Sequence, residues 1–209
     1  MIKVFIADDH AVVRKGVEQI FAETPDIRVV GEAGTGQDVL DAAKKPNFDV
    51  LILDISMPVR GGMDVLTELK RMGVRFPVLI LSIHPEDQYG VRAVKSGAAG
   101  YITKESIPEE LVIAVRKVAS GGKYASPELV ERLMRTVSGD QEPLHASLSN
   151  REFQVLRMIG SGMSVTEIAK ELALSPKTVS SFRSRILDKM HLRNNADIIR
   201  YVVKAELAD

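Results

Sequence analysis

The sequence predicts an α/β protein whose first domain is a five-stranded, parallel, doubly wound sheet and whose second domain is small and all-α. Over residues 1–122, five short apolar runs alternate with five amphipathic segments, which is the pattern of successive βα units. The runs at 4–7, 50–53 and 78–81 are apolar throughout, as strands covered on both faces are. From residue 146 onwards, only helical periodicity occurs.

Each predicted strand is followed along the chain by a helix. The strands are expected at 3–7, 28–33, 50–53, 78–82 and 100–102. The helices are expected at 11–22, 36–43, 62–72, 85–96 and 108–119. Parallel neighbours need such crossovers, because the chain must return to the same end of the sheet before the next strand begins.

A further helix and a linker follow this sheet. Ser126 is a favoured N-cap and Pro127 is tolerated at the first helical position, so a helix should begin there. The polar stretch 138–143, Ser-Gly-Asp-Gln-Glu-Pro, consists largely of residues that break helices. We therefore expect three segments: a first domain at 1–122, a linker with one helix at 123–145 and a second domain at 146–209.

The second domain should contain four helices, two of which predict DNA binding. They are expected near 150–159, 164–172, 176–190 and 195–206. Ser149 and Ser164 begin Ser-x-x-Glu capping boxes, and Ser175-Pro176 begins the third helix. Two short helices across a tight turn, the second polar and basic on one face, are typical of a helix-turn-helix. The inward stripe of this second helix should be Val179, Phe182, Ile186 and Met190.

The net charge is zero, but the charges are unevenly distributed. Residues 146–209 carry 10 basic and 7 acidic side chains, a net +3, whereas residues 1–145 carry 18 and 21, a net −3. Such asymmetry predicts two domains with different partners. The lack of cysteine excludes disulfides and thiol chemistry. With no apolar stretch near the ~20 residues of a membrane span and no leader, we expect a soluble, cytoplasmic protein without a membrane partner.

Charged side chains follow three of the predicted strands. Asp8 and Asp9 follow the first strand, Asp54 follows the third and Lys104 follows the fifth. The carboxyl ends of parallel strands form the ligand crevice of an open sheet, so these groups should meet there. Carboxylates with one ammonium are typical of a site for a divalent metal and a phosphoryl group. An Asp after a strand also serves as a helix N-cap, and Asp9 alone would be interpreted that way.

These residues resemble the receiver domain of two-component response regulators, which has a flavodoxin-like fold. The resemblance covers about 1–122 and rests on separated motifs in the right order. The motifs are Asp8-Asp9, Asp54 with Met57-Pro58 and Gly62, Ser82, Tyr101 and Lys104. The resemblance implies that a histidine kinase transfers a phosphoryl group to Asp54 in the presence of Mg²⁺.

The resemblance also implies a role for each residue of the site. Asp9 and Asp54 would bind Mg²⁺ directly, Asp8 would help through water, and the backbone carbonyl of Ser56 would complete the protein ligands. Lys104 would pair with the phosphoryl oxygens.

Ser82 and Tyr101 would form the switch implied by the family. Ser82 would be drawn towards the new phosphoryl oxygens, which opens space into which Tyr101 swings. The alternative is a strand-end hydroxyl and a half-buried strand aromatic. Ile83 and His84 depart from the simplest pattern, because many receivers carry a small residue after this serine. We expect them to tune the lifetime of the acyl phosphate, although a solvated loop histidine is an equal alternative.

The second domain resembles the LuxR-type helix-turn-helix of the NarL/FixJ subfamily, over about 146–207. The residues that carry the resemblance are Arg151-Glu152, Gly162, Glu167-Ile168-Ala169, Leu172, Ser175, Lys177-Thr178-Val179 and Lys189-Met190. Phe182 stands where the family often has histidine, so we expect altered packing with DNA binding retained. The family implies double-stranded DNA with two-fold promoter sites and a homodimer when the protein is phosphorylated or DNA-bound. It leaves RNA polymerase open as a further partner.

The third helix of this domain should supply the DNA contacts. The candidates are Lys177, Thr178, Ser180, Ser181, Arg183, Ser184, Arg185 and Lys189. The basic side chains would contact phosphates, and the serines with Lys177 would face the bases. Small hydroxyls read bases less stringently than bidentate side chains do, which predicts modest specificity per half-site. The alternative is a solvated basic helix. Apolar residues of the last helix, up to Val203, fit either a dimer contact or ordinary core packing.

The leading interpretation is a phosphorylation-controlled transcription regulator, not an enzyme beyond the self-phosphorylation and self-dephosphorylation of Asp54. One alternative is a phosphatase with an aspartate nucleophile, which would need an acidic residue where Ser56 stands. Another is a DNA-binding regulator whose receiver is silent. The intact set of Asp9, Asp54 and Lys104 disfavours that alternative.

Overall fold

The computed structural model describes residues 1–137 and 143–207, so most of the linker stretch predicted at 138–143 lies outside the described residues. The chain divides into two compact units, Met1–Val137 and Ser138–Asp209. Within the described residues, no helix is both long and apolar enough to cross a membrane.

The first unit is built around the predicted parallel sheet. Its strands are β1 (Ile2–Ala7), β2 (Ile27–Ala33), β3 (Val50–Asp54), β4 (Val78–Ser82) and β5 (Gly100–Thr103). All four neighbouring pairs are parallel, in the order β2-β1-β3-β4-β5. The five-stranded doubly wound fold is therefore confirmed. Every residue of β3 and β4 is buried, which explains their uninterrupted apolar character.

The helices of this unit match the predicted alternation closely. They are α1 (Ala11–Ala22), α2 (Gly36–Ala43), α3 (Gly62–Met72), α4 (Glu86–Lys95), α5 (Ile107–Ala119) and α6 (Pro127–Val137). A short 3-10 turn, Lys104–Ser106, separates β5 from α5. Apolar residues of β1, β3 and β4 pack against α1 and α5 in one buried cluster. This packing fixes the ends of the central strands, where the candidate site lies.

The strand order brings the charged strand ends together. Strand β2 is added on one side of β1, and β3, β4 and β5 are added on the other side, so the strand order reverses between the neighbours β1 and β3. Ala7 pairs with Leu53, so Asp8 and Asp54 follow at the same level. A ligand crevice is expected at such a switch point.

Gly62 fits closely against the end of β3. A Cβ atom at this position would lie 1.9 Å from the backbone oxygen of Asp54. No side chain can be placed there without moving either the loop after β3 or the start of α3. The glycine therefore lets the chain fold back beside Asp54.

Every regular element in the described residues of the second unit is helical. This unit comprises a 3-10 turn, Leu144–Ser147, and the helices α7 (Asn150–Gly160), α8 (Val165–Glu171), α9 (Pro176–Met190) and α10 (Asn195–Lys204). Both capping boxes form as predicted, and the Ser175 side chain caps α9 by accepting from the Thr178 amide. Between α8 and α9, Ala173 adopts a left-handed φ of 53° in the tight turn.

Burial along α9 differs from the predicted stripe at one position. Val179, Ile186 and Met190 are buried, whereas Phe182 is only half-buried. The guanidinium of Arg185 lies 6.0 Å from the centroid of the Phe182 ring. Phe182 therefore lies at the border between the core and the outer face of α9.

Candidate functional site

Two carboxylates and one ammonium meet at the carboxyl end of the sheet. Asp8 and Asp54 are each 1% exposed. The Nζ of Lys104 lies 2.6 Å from Oδ2 of Asp8 and 3.2 Å from Oδ2 of Asp54. The structure thus brings together three residues that the sequence places 46 to 96 positions apart.

Burial makes this cluster electrostatically unusual. It raises the pKa of Asp54 from 3.8 to about 6, with the charge of Asp8 adding to the rise and Lys104 opposing it. Burial alone would lower the pKa of Lys104, but its hydrogen bond to Asp8 and the charge of Asp54 raise it. Lys104 therefore remains an ammonium at neutral pH. A pKa displaced by burial and a specific partner is typical of functional carboxylates.

Asp9 and His10 extend the cluster towards solvent. The Nδ1 of His10 lies 2.9 Å from Oδ1 of Asp9, and the His10 amide donates to Oδ1 of Asp8 at 2.8 Å. His10 was not predicted from the sequence; its position between the Asp pair and the start of α1 was the available signal. Asp8, Asp9, His10 and Asp54 each offer one ligand atom, and all four atoms lie within 4.8 Å of one another.

The cluster fits a hard divalent cation. Oδ1 of Asp54 is buried and accepts no hydrogen bond from the described residues. A buried carboxylate oxygen without a partner is costly unless a cation is bound. Three carboxylates provide the oxygen ligands that Mg²⁺ prefers. The predicted ligand role of the Ser56 carbonyl stays a prediction.

The loop after β4 connects the two predicted switch residues. The buried hydroxyl of Ser82 accepts from the His84 amide at 3.0 Å. Tyr101 is 2% exposed, and its hydroxyl donates to the His84 carbonyl at 2.8 Å. In this structure Tyr101 is therefore fully inside, and the description of it as a half-buried strand aromatic does not hold.

The two departures from the family pattern have different surroundings. His84 is half-buried, its Nε2 lies 3.1 Å from the Ser56 hydroxyl, and its ring stacks on Tyr89. It is therefore not a freely solvated loop residue. Ile83 is 63% exposed. His84 thus connects the loop after β4 to the loop that carries Ser56.

Contacts within the second unit sort the eight DNA-contact candidates on α9. The Nζ of Lys189 lies 2.6 Å from Oε2 of the buried Glu152, and Arg183 donates to the side chain of Asn195. The Thr178 hydroxyl bonds to Ser175, and the Ser181 hydroxyl donates to the Lys177 carbonyl. The exposed candidates that form no such hydrogen bond with a described residue are Lys177, Ser180, Ser184 and Arg185.

Comparison with known proteins identifies both units. Residues 4–116 match the family described as the response regulator receiver domain. Residues 146–202 match bacterial regulatory proteins of the luxR family. The chain is a response regulator of the NarL/FixJ family. The charged motifs at the strand ends and the helix-turn-helix both belong to this one architecture.

Relatives of this response regulator align with it from end to end. Response regulator UvrY of Escherichia coli K12 is 34% identical, over 100% of this chain and 97% of its own. Transcriptional regulatory protein UhpA of the same strain is 38% identical, over 96% of this chain and 97% of its own. The response regulator is therefore similar to regulators of transcription over both of its domains.

Solved structures of a related protein include DNA complexes. RcsB of Salmonella enterica serovar Typhimurium, bound to promoter rprA with the phosphomimetic BeF3−, is 27% identical with a TM-score of 0.66, covering 97% of this chain and 99% of that one. Another RcsB structure, of two dimers on two parallel DNAs, is 26% identical with a TM-score of 0.59, covering 97% and 98%. The family consists of DNA-binding transcription regulators and not of classical enzymes.

Proposed function

We propose that Asp54 accepts a phosphoryl group from a cognate histidine kinase and that this event controls DNA binding by α9. The observation that carries the proposal is the buried contact of Lys104 with both Asp8 and Asp54, in a chain that also contains a LuxR-type helix-turn-helix. A buried ion cluster is costly to maintain for stability alone, so a chemical role is the better account of it.

The chemistry uses the Asp54 carboxylate as a nucleophile. One of its oxygens attacks the phosphorus of a phosphohistidine, and the P–O bond forms as the P–N bond breaks. The histidine of the kinase leaves with the electron pair and takes up a proton. The Lys104 ammonium lies beside the acceptor oxygens, where it offsets the negative charge that develops on the phosphoryl group.

Asp9, Asp54 and the Ser56 carbonyl would hold Mg²⁺, with Asp8 supporting it through water. A bound Mg²⁺ supplies positive charge next to the transferred oxygens. The unpaired Oδ1 of Asp54 and the three closely spaced carboxylates support this assignment.

Ser82 and Tyr101 would sense the product. The added group carries about −1.5 to −2 charges and several acceptor oxygens, so the Ser82 hydroxyl gains a strong new acceptor. In the present structure that hydroxyl accepts from the His84 amide, and the His84 carbonyl accepts from the Tyr101 hydroxyl. A change at Ser82 therefore reaches Tyr101 through one residue.

On DNA, we assign base contacts to Ser180 and Ser184 and phosphate contacts to Lys177 and Arg185. These side chains are exposed, and among the described residues no hydrogen bond of theirs is seen. Thr178, Ser181, Arg183 and Lys189 remain candidates of lower rank, because each already has a partner.

The protein would act in the cytoplasm as a homodimer on two-fold promoter sites, with RNA polymerase as a downstream partner. Ile199 and Val203 of α10 are exposed, whereas Ile198 and Val202 are buried, so α10 contributes both to the core and to the surface. The exposed pair supports a dimer contact on this helix.

The test is to phosphorylate the purified full-length protein with a small-molecule phosphodonor and Mg²⁺, and then to map its binding across genomic DNA. We expect one phosphoryl group by intact mass and new or strengthened footprints. Asp54→Asn should take up none and should show no change in footprints, whereas the matched surface variant Asp41→Asn should behave as wild type.

The same experiment separates the alternatives. Footprints that are identical with and without the phosphodonor would favour a silent receiver. Turnover of phosphate esters would favour the phosphatase, which lacks support here because Ser56 stands where its general acid would be.

A further inference from the structure

Helix α6 packs against α4 within the first unit. The side chain of Leu129 is 1% exposed. It lies against Gly90 of α4, where a Cβ atom would come within 2.9 Å of a Leu129 methyl carbon and of the Cγ of Glu86. The lack of a side chain at Gly90 thus leaves a notch on α4 that Leu129 fills.

Polar contacts fix the same helix pair at both sides of this notch. The Ser126 hydroxyl donates to Oε2 of Glu86, in the first turn of α4, and also accepts from the Leu129 amide as the N-cap of α6. The guanidinium of Arg132 donates to the carbonyl of Asp87 at 3.0 Å. All of these contacts on α4 lie in its first turn and a half.

The segment before α6 is attached to the last strand. The Tyr124 amide donates to Ala99 at 2.9 Å, and its carbonyl accepts from the Tyr101 amide. The Tyr124 hydroxyl donates to Glu110 of α5. The segment that leads into α6 is therefore hydrogen-bonded alongside β5, the strand that carries Tyr101.

The first turn of α4 is also the part of the helix nearest to the predicted switch. His84 is held by the Ser82 hydroxyl, by the Tyr101 hydroxyl and by stacking on Tyr89, and α4 begins two residues later at Glu86. A movement of this loop must therefore shift Glu86, which is the partner of Ser126.

We propose that α6 is a phosphorylation-responsive latch, seated on α4 through Leu129 and Ser126 and loosened when Ser82 turns towards a phosphoryl group on Asp54. The proposal rests on the proposed function of Asp54. When the Ser82 hydroxyl reorients, the His84 amide loses its acceptor and the loop before α4 relaxes. The contact between Glu86 and Ser126 then weakens. Because α6 is the last described element before the second unit, its release would give that unit a longer tether.

The test is hydrogen exchange of the full chain, with and without BeF3− and Mg²⁺, followed on peptides that cover 123–135. We expect α6 to exchange about tenfold faster after loading, while β1 and β3 peptides stay protected. Asp54→Asn should abolish the response. Unchanged or slower exchange of α6 in fully loaded protein would overturn the latch. If loading itself fails by mass spectrometry, the proposed function fails instead.

Variants at the notch test the latch without phosphorylation. Gly90→Ala and Leu129→Ala should each raise α6 exchange in the unloaded protein towards the loaded value and should shrink the further response. Gly16→Ala is the matched control, because a Cβ on this helical glycine meets nothing within 4 Å. Native exchange of the sheet peptides shows that a variant is folded. Variants that leave the exchange of α6 unchanged would contradict the role of the notch.

Discussion

The phosphoacceptor cluster and the outer face of α9 are two charged regions that the fold treats in opposite ways. In the cluster, Asp8 and Asp54 are buried at the ends of neighbouring strands and form ion pairs with Lys104. On α9, Lys177 and Arg185 are exposed on a helix whose inner face alone is packed. Buried charges must be positioned exactly by the backbone, because each unpaired group is costly. Exposed charges need only the correct face, so their individual roles depend on side-chain contacts.

The largest effect on stability and phosphorylation is expected at Gly62, where the backbone packs too closely to admit a side chain. Gly62→Ala places a Cβ atom 1.9 Å from the Asp54 backbone oxygen, so β3 or α3 must move. We expect a loss on the order of 3 kcal/mol in the free energy of unfolding, with phosphorylation of Asp54 lost or nearly so. Urea denaturation and phosphoryl incorporation measure the two effects.

Gly16→Ala is the control for this substitution, because it adds the same atom to a helix with open space around it. It should be neutral or slightly stabilising. A Gly62→Ala protein with wild-type stability and phosphorylation would show that the end of β3 is not a rigid platform.

A second prediction concerns the charge of Asp54 itself. Burial raises its pKa to about 6, above its ordinary value of 3.8, so the folded protein favours the protonated carboxyl of Asp54 over the ionised one. Stability should therefore fall as the pH rises from about 4 through 6. Above pH 6, Asp54→Asn should unfold with a free energy higher by about 3 kcal/mol in the absence of divalent metal, and the difference should vanish near pH 4.

Asp41→Asn provides the contrast. The hydrogen bond from Lys44 lowers the pKa of this exposed carboxyl, so its removal should not stabilise the protein at neutral pH. Urea titrations of the three proteins between pH 4 and 8 measure the differences. A stabilisation by Asp54→Asn that is independent of pH would contradict the assigned pKa.

The outer face of α9 carries two lysines, Lys177 and Lys189, that were both predicted from the sequence to contact DNA. Replacing each in turn tests that prediction. Lys177 is exposed and has no ion pair with any described residue, whereas Lys189 pairs with the buried Glu152. Lys177→Ala should reduce the slope of log K against log salt for DNA binding by about 1. Lys189→Ala should leave that slope unchanged and cost about 1 kcal/mol of stability, since the ammonium is partly exposed. Equal slope changes for both variants would return Lys189 to the DNA-contact set.

The sequence was more informative about the buried cluster than about the exposed face of α9. The strands, the first-unit helices and the meeting of Asp8, Asp54 and Lys104 were predicted because periodicity and strand ends determine them. The packing of α6 on α4 was not, since it depends on the missing side chain of Gly90. Nor could the sequence show that Lys189 and Arg183 contact Glu152 and Asn195 within the domain. Both lie on the flank of α9, where hydrophobic periodicity does not tell an inward position from an outward one. His10 was missed because no periodic signal marks a loop residue.

The smallest expected effect, on the lifetime of the acyl phosphate, concerns the half-buried loop after β4 near the phosphoacceptor cluster. His84 is half-buried and reaches the hydroxyl of Ser56, two residues after Asp54, so we expect its ring to restrict access of water to Asp54. His84→Ala should open that approach to water and shorten the lifetime of the phosphorylated protein severalfold. Ile83→Ala, at a position that is 63% exposed, should change it less. Loss of the phosphoryl group, followed after the donor is removed, measures both rates. Equal rates in all three proteins would mean that the loop after β4 positions the switch but does not shield the acyl phosphate.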